Sequence, residues 1–352
     1  MSNPFNNNVF NQVDAIVNTM DSQPRIVQCI QACNEEKLIE ACMLQLYDKV
    51  DKIIVIEGAV QNKVAAGQAT PDGHSLDRTV EIIKDVKANK DPDKKIVFVQ
   101  IERPWQHLEE LKNTFFQYMQ EGDWMLITDA DEFIMPEVVD KLRECVSLEP
   151  WATEFVPAAF YHFWRDTNHI RKPSGDWGQQ HQRFIRFQQG LNYVNHPVAR
   201  DVQGVCTYFD PRYLSRRFTV KEFAIYHLSY CKENEEEIKA KKDFYDKELG
   251  QEKHGDVGAY ARGGQTDEFL DQTEDLETVL RFDGKLPDIV ERLPLALQED
   301  EFLKSKEPLV SHMEAAPYNL EHIPLIWAYA LEADKGVPNM KGYNKLFNMV
   351  DA

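Results

Sequence analysis

Three carboxylates, Asp129, Asp131 and Glu132, crowd into four positions at the end of the apolar run 124–128. Close acids repel one another and cost stability unless a cation lies between them, and a strand buried on both faces ordinarily exits through Gly, Asn or Ser. With 59 acids in 352 residues, about ten acid-x-acid triplets arise by chance, so Asp129-x-Asp131 takes its meaning only from its position. Side chains two apart on a strand point the same way, which predicts both carboxylates on one side of a strand end. In open α/β sheets ligands bind at the carboxyl ends of the strands. A divalent ion held by two carboxylates and completed by phosphate oxygens is a usual way to bind a nucleoside diphosphate. The alternative is a solvated acidic loop.

The elements that must position these acids follow from periodicity. "RIVQCIQAC" (25–33), "DKIIVIEGA" (51–59), "KKIVFVQI" (94–101) and "DWMLITDAD" (123–131) read as strands. Between them lie helical patterns. Leu38, Ile39, Cys42, Met43 and Leu46 share one face; Leu76, Val80 and Ile83 mark a helix over 75–87; Leu108, Leu111, Phe115 and Tyr118 mark another. This β-α-β-α order predicts an α/β fold with a doubly wound, mostly parallel sheet. After Pro150 the segments 153–164, 182–188, 192–199 and 218–228 are aromatic-rich and strand-like, which predicts a mixed or antiparallel extension. From Lys232 the chain turns acidic and helical, with Glu235 against Lys239 and Glu237 against Lys241. The glycine-rich segment 253–268 reads as a connector or lid. The expected division is an extension over 1–24, a catalytic domain over 25–232 and a helical region over 233–352 packed on it.

Composition narrows the function. A 43% hydrophobic content with 11% aromatic residues supports a packed core. The net charge of −19 disfavours binding to duplex nucleic acid or to an anionic membrane. Six cysteines without C-x-x-C or framework spacing read as reduced core thiols, and no 18 apolar residues run together. These features predict a cytoplasmic protein without a transmembrane segment.

The order "ACNEEKLIEACM", "IIVIEG", "DGHSLDRTVEIIKD" and "GDWMLITDADEF" resembles family 2 glycosyltransferases of the GT-A fold. "DWGQQHQRFIRFQQGLNYVNHPV" and "AIYHLSYCKENEEEIKAKKDFY" are similar to the branch that includes lipopolysaccharide-core glycosyltransferases, extending the resemblance over 25–247. It implies a transferase that takes a sugar from a nucleotide diphosphate donor, a UDP-sugar first, to an acceptor hydroxyl on a glycan or other molecule, with Mn²⁺ or Mg²⁺ as cofactor.

The resemblance also distributes roles. Asn34, Glu35, Glu57 and Asp77 would frame the nucleoside, although Asn34, Glu35, Ser75 and Asp77 equally suit helix capping and first turns. The chain departs from the family by inserting "GAVQNKVAAGQATPDGH" between Glu57 and Ser75, which leaves open whether Glu57 or Asp77 reads the nucleoside. Asp129, Asp131 and His227 would hold the metal, an imidazole beside two carboxylates suiting Mn²⁺, with a satisfied core histidine as the alternative. Arg183 or Arg186 and Lys241 would face the diphosphate. An inverting reaction needs a base, for which Asp176 is the first candidate and Asp201 the second. Trp164, Trp177 and Tyr161 would stack a sugar or pack the core. His196 stands where the family has His-Glu, but Pro197 replaces the acid.

Two other readings remain. A sugar nucleotidyltransferase would share sheet and metal but needs a glycine-rich phosphate loop after the first strand, where this chain has "QACNEEKL". A non-catalytic carbohydrate-binding protein would keep the aromatics without requiring Asp129, Asp131 and His227 to converge, and separations of more than about 8 Å among the three would favour it.

Overall fold

The computed structural model describes residues 23–149, 152–171, 182–195, 198–200, 216–231, 279–293 and 295. Four strands form its centre: β1 (Ile26–Ala32), β2 (Lys52–Glu57), β3 (Ile96–Val99) and β4 (Trp124–Asp129). They lie in the order β3-β2-β1-β4 with every pair parallel. Their near-continuous apolar runs are explained by burial on both faces. On β1, Ile26 and Ile30 enter one hydrophobic cluster while Val27 and Cys29 enter the other.

Helices cover both faces. On the first lie α1 (Ile39–Leu44), α3 (Thr79–Asn89) and α5 (Pro136–Leu148), burying Met43, Ile83 and Leu142 among others. On the second, α4 (Leu108–Phe115) buries Leu111 and Phe115 against Ile54, Met125 and Ile127. The short α2 (Gln61–Ala65) belongs to the inserted segment. The 75–87 helix begins later than its periodicity predicts, because Ser75 and Asp77 are drawn into the preceding loop; Leu76 is consequently 59% exposed. Helix α5 was not anticipated, although Pro136 at its first turn and Val138, Val139, Leu142, Cys145 and Val146 carry a helical pattern.

Beyond residue 150 the sheet becomes mixed, as expected. β8 (Phe184–Arg186) runs antiparallel to β4 and to β6 (Ala152–Trp164), while β11 (Arg216–Tyr230) lies parallel to β6. β11 also pairs with the two-residue β5 (Glu132–Phe133), opposing His227 to Glu132. β7 (His169–Arg171) joins β6 to β12 (Val279–Arg281), and β9 (Asn192–Asn195) with β10 (Val198–Arg200) makes a separate hairpin. A short α6 (Asp288–Glu291) follows. The molecule is thus α/β with a largely parallel central sheet flanked by helices. Among the described residues no helix is long and apolar enough to cross a membrane. The 1–22 segment, most of 233–352, the 253–268 loop, and Asp176, Trp177, His196, Asp201 and Lys241 lie outside the described residues.

Candidate metal and diphosphate site

The site is built where β4 stops. Strand β4 ends at Asp129, and a turn through Ala130 and Asp131 leads into β5 at Glu132. Strand alternation therefore does not extend to Asp131, which corrects the expectation that the two aspartates project together. Asp129 instead accepts a hydrogen bond from Gln31 Nε2 and lies 3.6 Å from Arg183. Among the described residues, no choice of one donor atom each from Asp129, Asp131 and His227 puts all three within 4.8 Å of one another.

Asp131 faces β11. The Leu228 amide donates to its carbonyl at 2.8 Å, which fixes the turn against the strand, and His227 Nε2 lies 3.5 Å from Asp131 Oδ1. Behind His227 stands a histidine that sequence reasoning missed. His162 occupies the parallel register position on β6, and the two Nδ1 atoms are 2.8 Å apart. One of them must carry the proton for the other to accept it. With the proton on His227, its Nε2 lone pair is turned toward Asp131. Only cross-strand register creates this pair, so no linear spacing could announce it.

The third acid is paired inward. Glu132 is 1% exposed and accepts from Arg183 at 2.5 Å. Burial raises the Glu132 pKa, with Arg183 opposing the shift. For Arg183, burial works to lower the pKa, but Glu132 and Asp129 outweigh it and hold the guanidinium charged. Arg183 is 3% exposed and lies over the Phe160 ring at 5.6 Å. Its Nε and Nη1 are buried without a hydrogen-bond partner among the described residues. Lys112, from α4, is a second buried cation that the sequence did not mark: it is 2% exposed, 5.5 Å from the Tyr193 ring, and burial lowers its pKa to about 8. Arg186, by contrast, sits on β8 opposite Trp124, at the other end of β4 from the acids.

The residues expected around the nucleoside form a knot of internal hydrogen bonds. Asn34, at φ +58, donates to the Gln68 carbonyl at 2.6 Å and accepts from the Leu76 amide at 2.7 Å. The Glu35 amide donates to Thr79 Oγ1, and Asp77 accepts from Glu36 and Thr79 amides. Glu57 is 1% exposed, and its carboxylate accepts from Ser75 and Gln100 and contacts His74 at 3.1 Å. The inserted segment folds back over the strand end, so that His74 meets Oε2 while the adjoining Ser75 takes Oε1. Trp164 and Tyr161 pack against Tyr230 and Phe282, respectively.

No protein-family model and no curated protein matches the sequence. Among solved structures the chain is similar to glucosyl-3-phosphoglycerate synthase from Mycobacterium tuberculosis, in complex with Mn²⁺, UDP and glucosyl-3-phosphoglycerate, at 16% identity and a TM-score of 0.28 over 40% of this chain and 46% of that one. It is also similar to GalNAc-T7 with UDP, GalNAc and Mn²⁺, at 11% identity and a TM-score of 0.37 over 78% of this chain and 59% of that one. The match therefore spans less than two thirds of either neighbour. Likenesses this slight carry no weight for function, and the assignment rests on the chain's own residues.

Proposed function

We propose that the chain is a metal-dependent glycosyltransferase, similar to GT-A family 2 enzymes, that moves a sugar from a nucleoside diphosphate donor to an acceptor hydroxyl. The observation that carries this reading is the 3.5 Å approach of His227 to Asp131 at the carboxyl end of the central parallel strands. A histidine and a carboxylate meeting there suit a Mn²⁺-class ion, and the His162 contact orients the imidazole as hydrogen-bonded partners of metal-bound histidines commonly do. When bound, such an ion neutralises charge growing on the leaving diphosphate.

The chain's own groups would share that work. Arg183 has two unpartnered buried donors, and a buried donor left unpaired costs about 1–3 kcal/mol, so a phosphate oxygen in reach would relieve it. Lys112, close enough to interact electrostatically with Asp129 and Arg183, adds positive charge beside them. Asp129, held near Arg183, is assigned to the ribose or diphosphate side, with Asp131 and His227 as the metal ligands. Asn34, Glu35, Glu57 and Asp77 are assigned to shaping the nucleoside wall through their loop. An inverting mechanism, with Asp176 or Asp201 as base and Lys241 near the diphosphate, is the finer form of this proposal, as is a UDP-sugar donor.

The test is a Mn²⁺-supplemented screen of UDP-, GDP-, CDP- and TDP-sugars for hydrolysis and thermal stabilisation. One donor class should stabilise the protein only with the metal present. Asp131→Ala should lower turnover at least 100-fold and weaken Mn²⁺-dependent nucleotide binding while leaving the thermal midpoint of the metal-free protein unchanged or raised, since one crowded acid is gone. A fully active Asp131→Ala variant would remove the metal assignment.

A further inference from the structure

A second set of metal-ligating side chains stands apart from Asp131 and His227, on the far side of β2. The loops leaving β2 and β3 bring Asp72, His74 and Glu102 together, with one donor atom of each within 4.8 Å of the others. His74 Nε2 lies 3.8 Å from Asp72 Oδ2 and 3.9 Å from Glu102 Oε2.

The imidazole is held from behind. His74 Nδ1 lies 3.1 Å from Glu57 Oε2, and the Glu57 side chain is fully buried. Gln100 Nε2 lies 3.0 Å from the same Nδ1 and also donates to Glu57 Oε2; with the proton on Nδ1, both nitrogens donate to that oxygen and the Nε2 lone pair faces the two exposed acids. A buried carboxylate fixing the tautomer of a histidine whose other nitrogen faces outward is the support that metal-bound histidines characteristically have.

The loop is braced by its own hydrogen bonds. Thr70 receives the Gly73 amide on its carbonyl at 2.8 Å and the His74 amide on its hydroxyl at 2.8 Å, and donates that hydroxyl to Asp72 Oδ1 at 2.5 Å. Asp72 Oδ2 is thereby the oxygen turned to His74. Gly73, at φ +89, presses so closely on residue 104 that an added Cβ would stand 2.6 Å from Pro104 Cα, which seats the turn beside Glu102.

We propose that Asp72, His74 and Glu102 form a second, surface metal site that binds a divalent transition ion of the Zn²⁺ class and clips the inserted loop to the end of β3. Two ligands about 2.0–2.2 Å from a tetrahedral ion stand about 3.4 Å apart, so the His74 spacings of 3.8 and 3.9 Å lie within about half an ångström of that separation. The imidazole selects against Mg²⁺ and Ca²⁺, which take oxygen donors, and the Irving–Williams order favours Zn²⁺ over Mn²⁺ at a mixed nitrogen and oxygen site. Because the ion binds only the folded loop, it stabilises by mass action.

The experiment uses the full chain carrying Asp131→Ala and His227→Ala, so that the nucleotide site contributes nothing, and titrates ZnCl₂ by calorimetry alongside thermal unfolding. One Zn²⁺ should bind, with a rise in the unfolding midpoint that Mg²⁺ does not reproduce. Glu102→Gln changes a side chain that is 89% exposed and so spares the fold; it should weaken Zn²⁺ affinity at least tenfold, as should Asp72→Asn. Zn²⁺ affinity and midpoint shift unchanged by both substitutions would overturn the site. Mn²⁺-dependent nucleotide binding by the unsubstituted chain is measured separately, so failure of the transferase reading leaves this result intact.

Discussion

At the scale of the residue, the Arg183–Glu132 ion pair lies buried. Removing one member of a buried ion pair strands the other charge and typically costs about 3–5 kcal/mol. Arg183→Met should therefore lower the urea unfolding free energy by that order, whereas Arg183→Met with Glu132→Leu should recover most of it and remain unable to bind a nucleoside diphosphate. A single variant as stable as the parent would mean that Glu132 is protonated in the folded protein. Lys112 makes the opposite case. Its folded pKa of about 8 lies below its ordinary 10.5, so the penalty for burying its charge is complete below pH 8 and is relieved as pH rises from about 8 to 10.5. At 1.36 kcal/mol per pKa unit that relief reaches about 3 kcal/mol. Lys112→Met should be more stable than the parent at pH 7, the difference shrinking toward pH 10.5 in paired denaturation curves, and should bind diphosphate more weakly. A pH-independent difference would place Lys112 in contact with water.

At the scale of the element, the inserted segment 58–74 is a built part of the sheet end. The Ala59 amide donates to the Gly73 carbonyl at 2.7 Å, and Val60 bridges to Trp105. All three of its glycines have positive φ, yet Gly67 and Gly73 should respond differently to a methyl group. At Gly67, φ +73, an added Cβ meets nothing within 4 Å, so Gly67→Ala should cost about 1 kcal/mol for the backbone alone. At Gly73 the same methyl collides with Pro104 backbone, so Gly73→Ala should cost roughly 2–4 kcal/mol and also abolish the Zn²⁺ response. Equal midpoints for the two variants in thermal unfolding would show that the 70–74 turn is not pressed against residue 104. Sequence reasoning treated this insertion only as a departure from a pattern, because its tie to β3 is a tertiary contact between segments about thirty residues apart.

At the scale of the whole molecule, the sheet does not end with residue 232. β12 adds to β7, and Phe282 packs on Phe163 at 5.1 Å, Tyr161 at 5.2 Å and Tyr226 at 6.2 Å, joining the same core that lies beneath β11. Phe282 is 7% exposed, so Phe282→Ala should cost about 3–4 kcal/mol. A chain ended at residue 232 should lose the cooperative unfolding of the full chain, because Tyr161, Phe163 and Tyr226 would lose this cover. A truncated chain that melts like the parent would make 25–232 a self-sufficient domain. With loss of cooperativity on truncation, the proposed division would mark roles along one packed sheet rather than independently folding units.

Much of the fold was legible in the order of residues alone. The apolar runs of β1 to β4 alternate with one-faced helices, and helices must cover both faces of a parallel sheet, so the α/β architecture and the emergence of Asp129 at a strand end follow from periodicity. What periodicity could not carry was the direction of side chains once the strand had ended. The turn at Ala130 and Asp131 separates two aspartates that look equivalent in sequence, sending Asp129 to Gln31 and Arg183 and Asp131 to His227. Glu57 reads as a recognition residue at a strand end, but a folded-back insertion occupies its carboxylate. His162 and Lys112 gain their roles from register and burial, which are relations between segments distant in the chain. A local pattern specifies which surfaces must be covered, because hydrophobic burial depends on spacing along one element. The partner that each polar group meets is decided only when the elements pack, because hydrogen bonds and ion pairs act over a few ångströms in space.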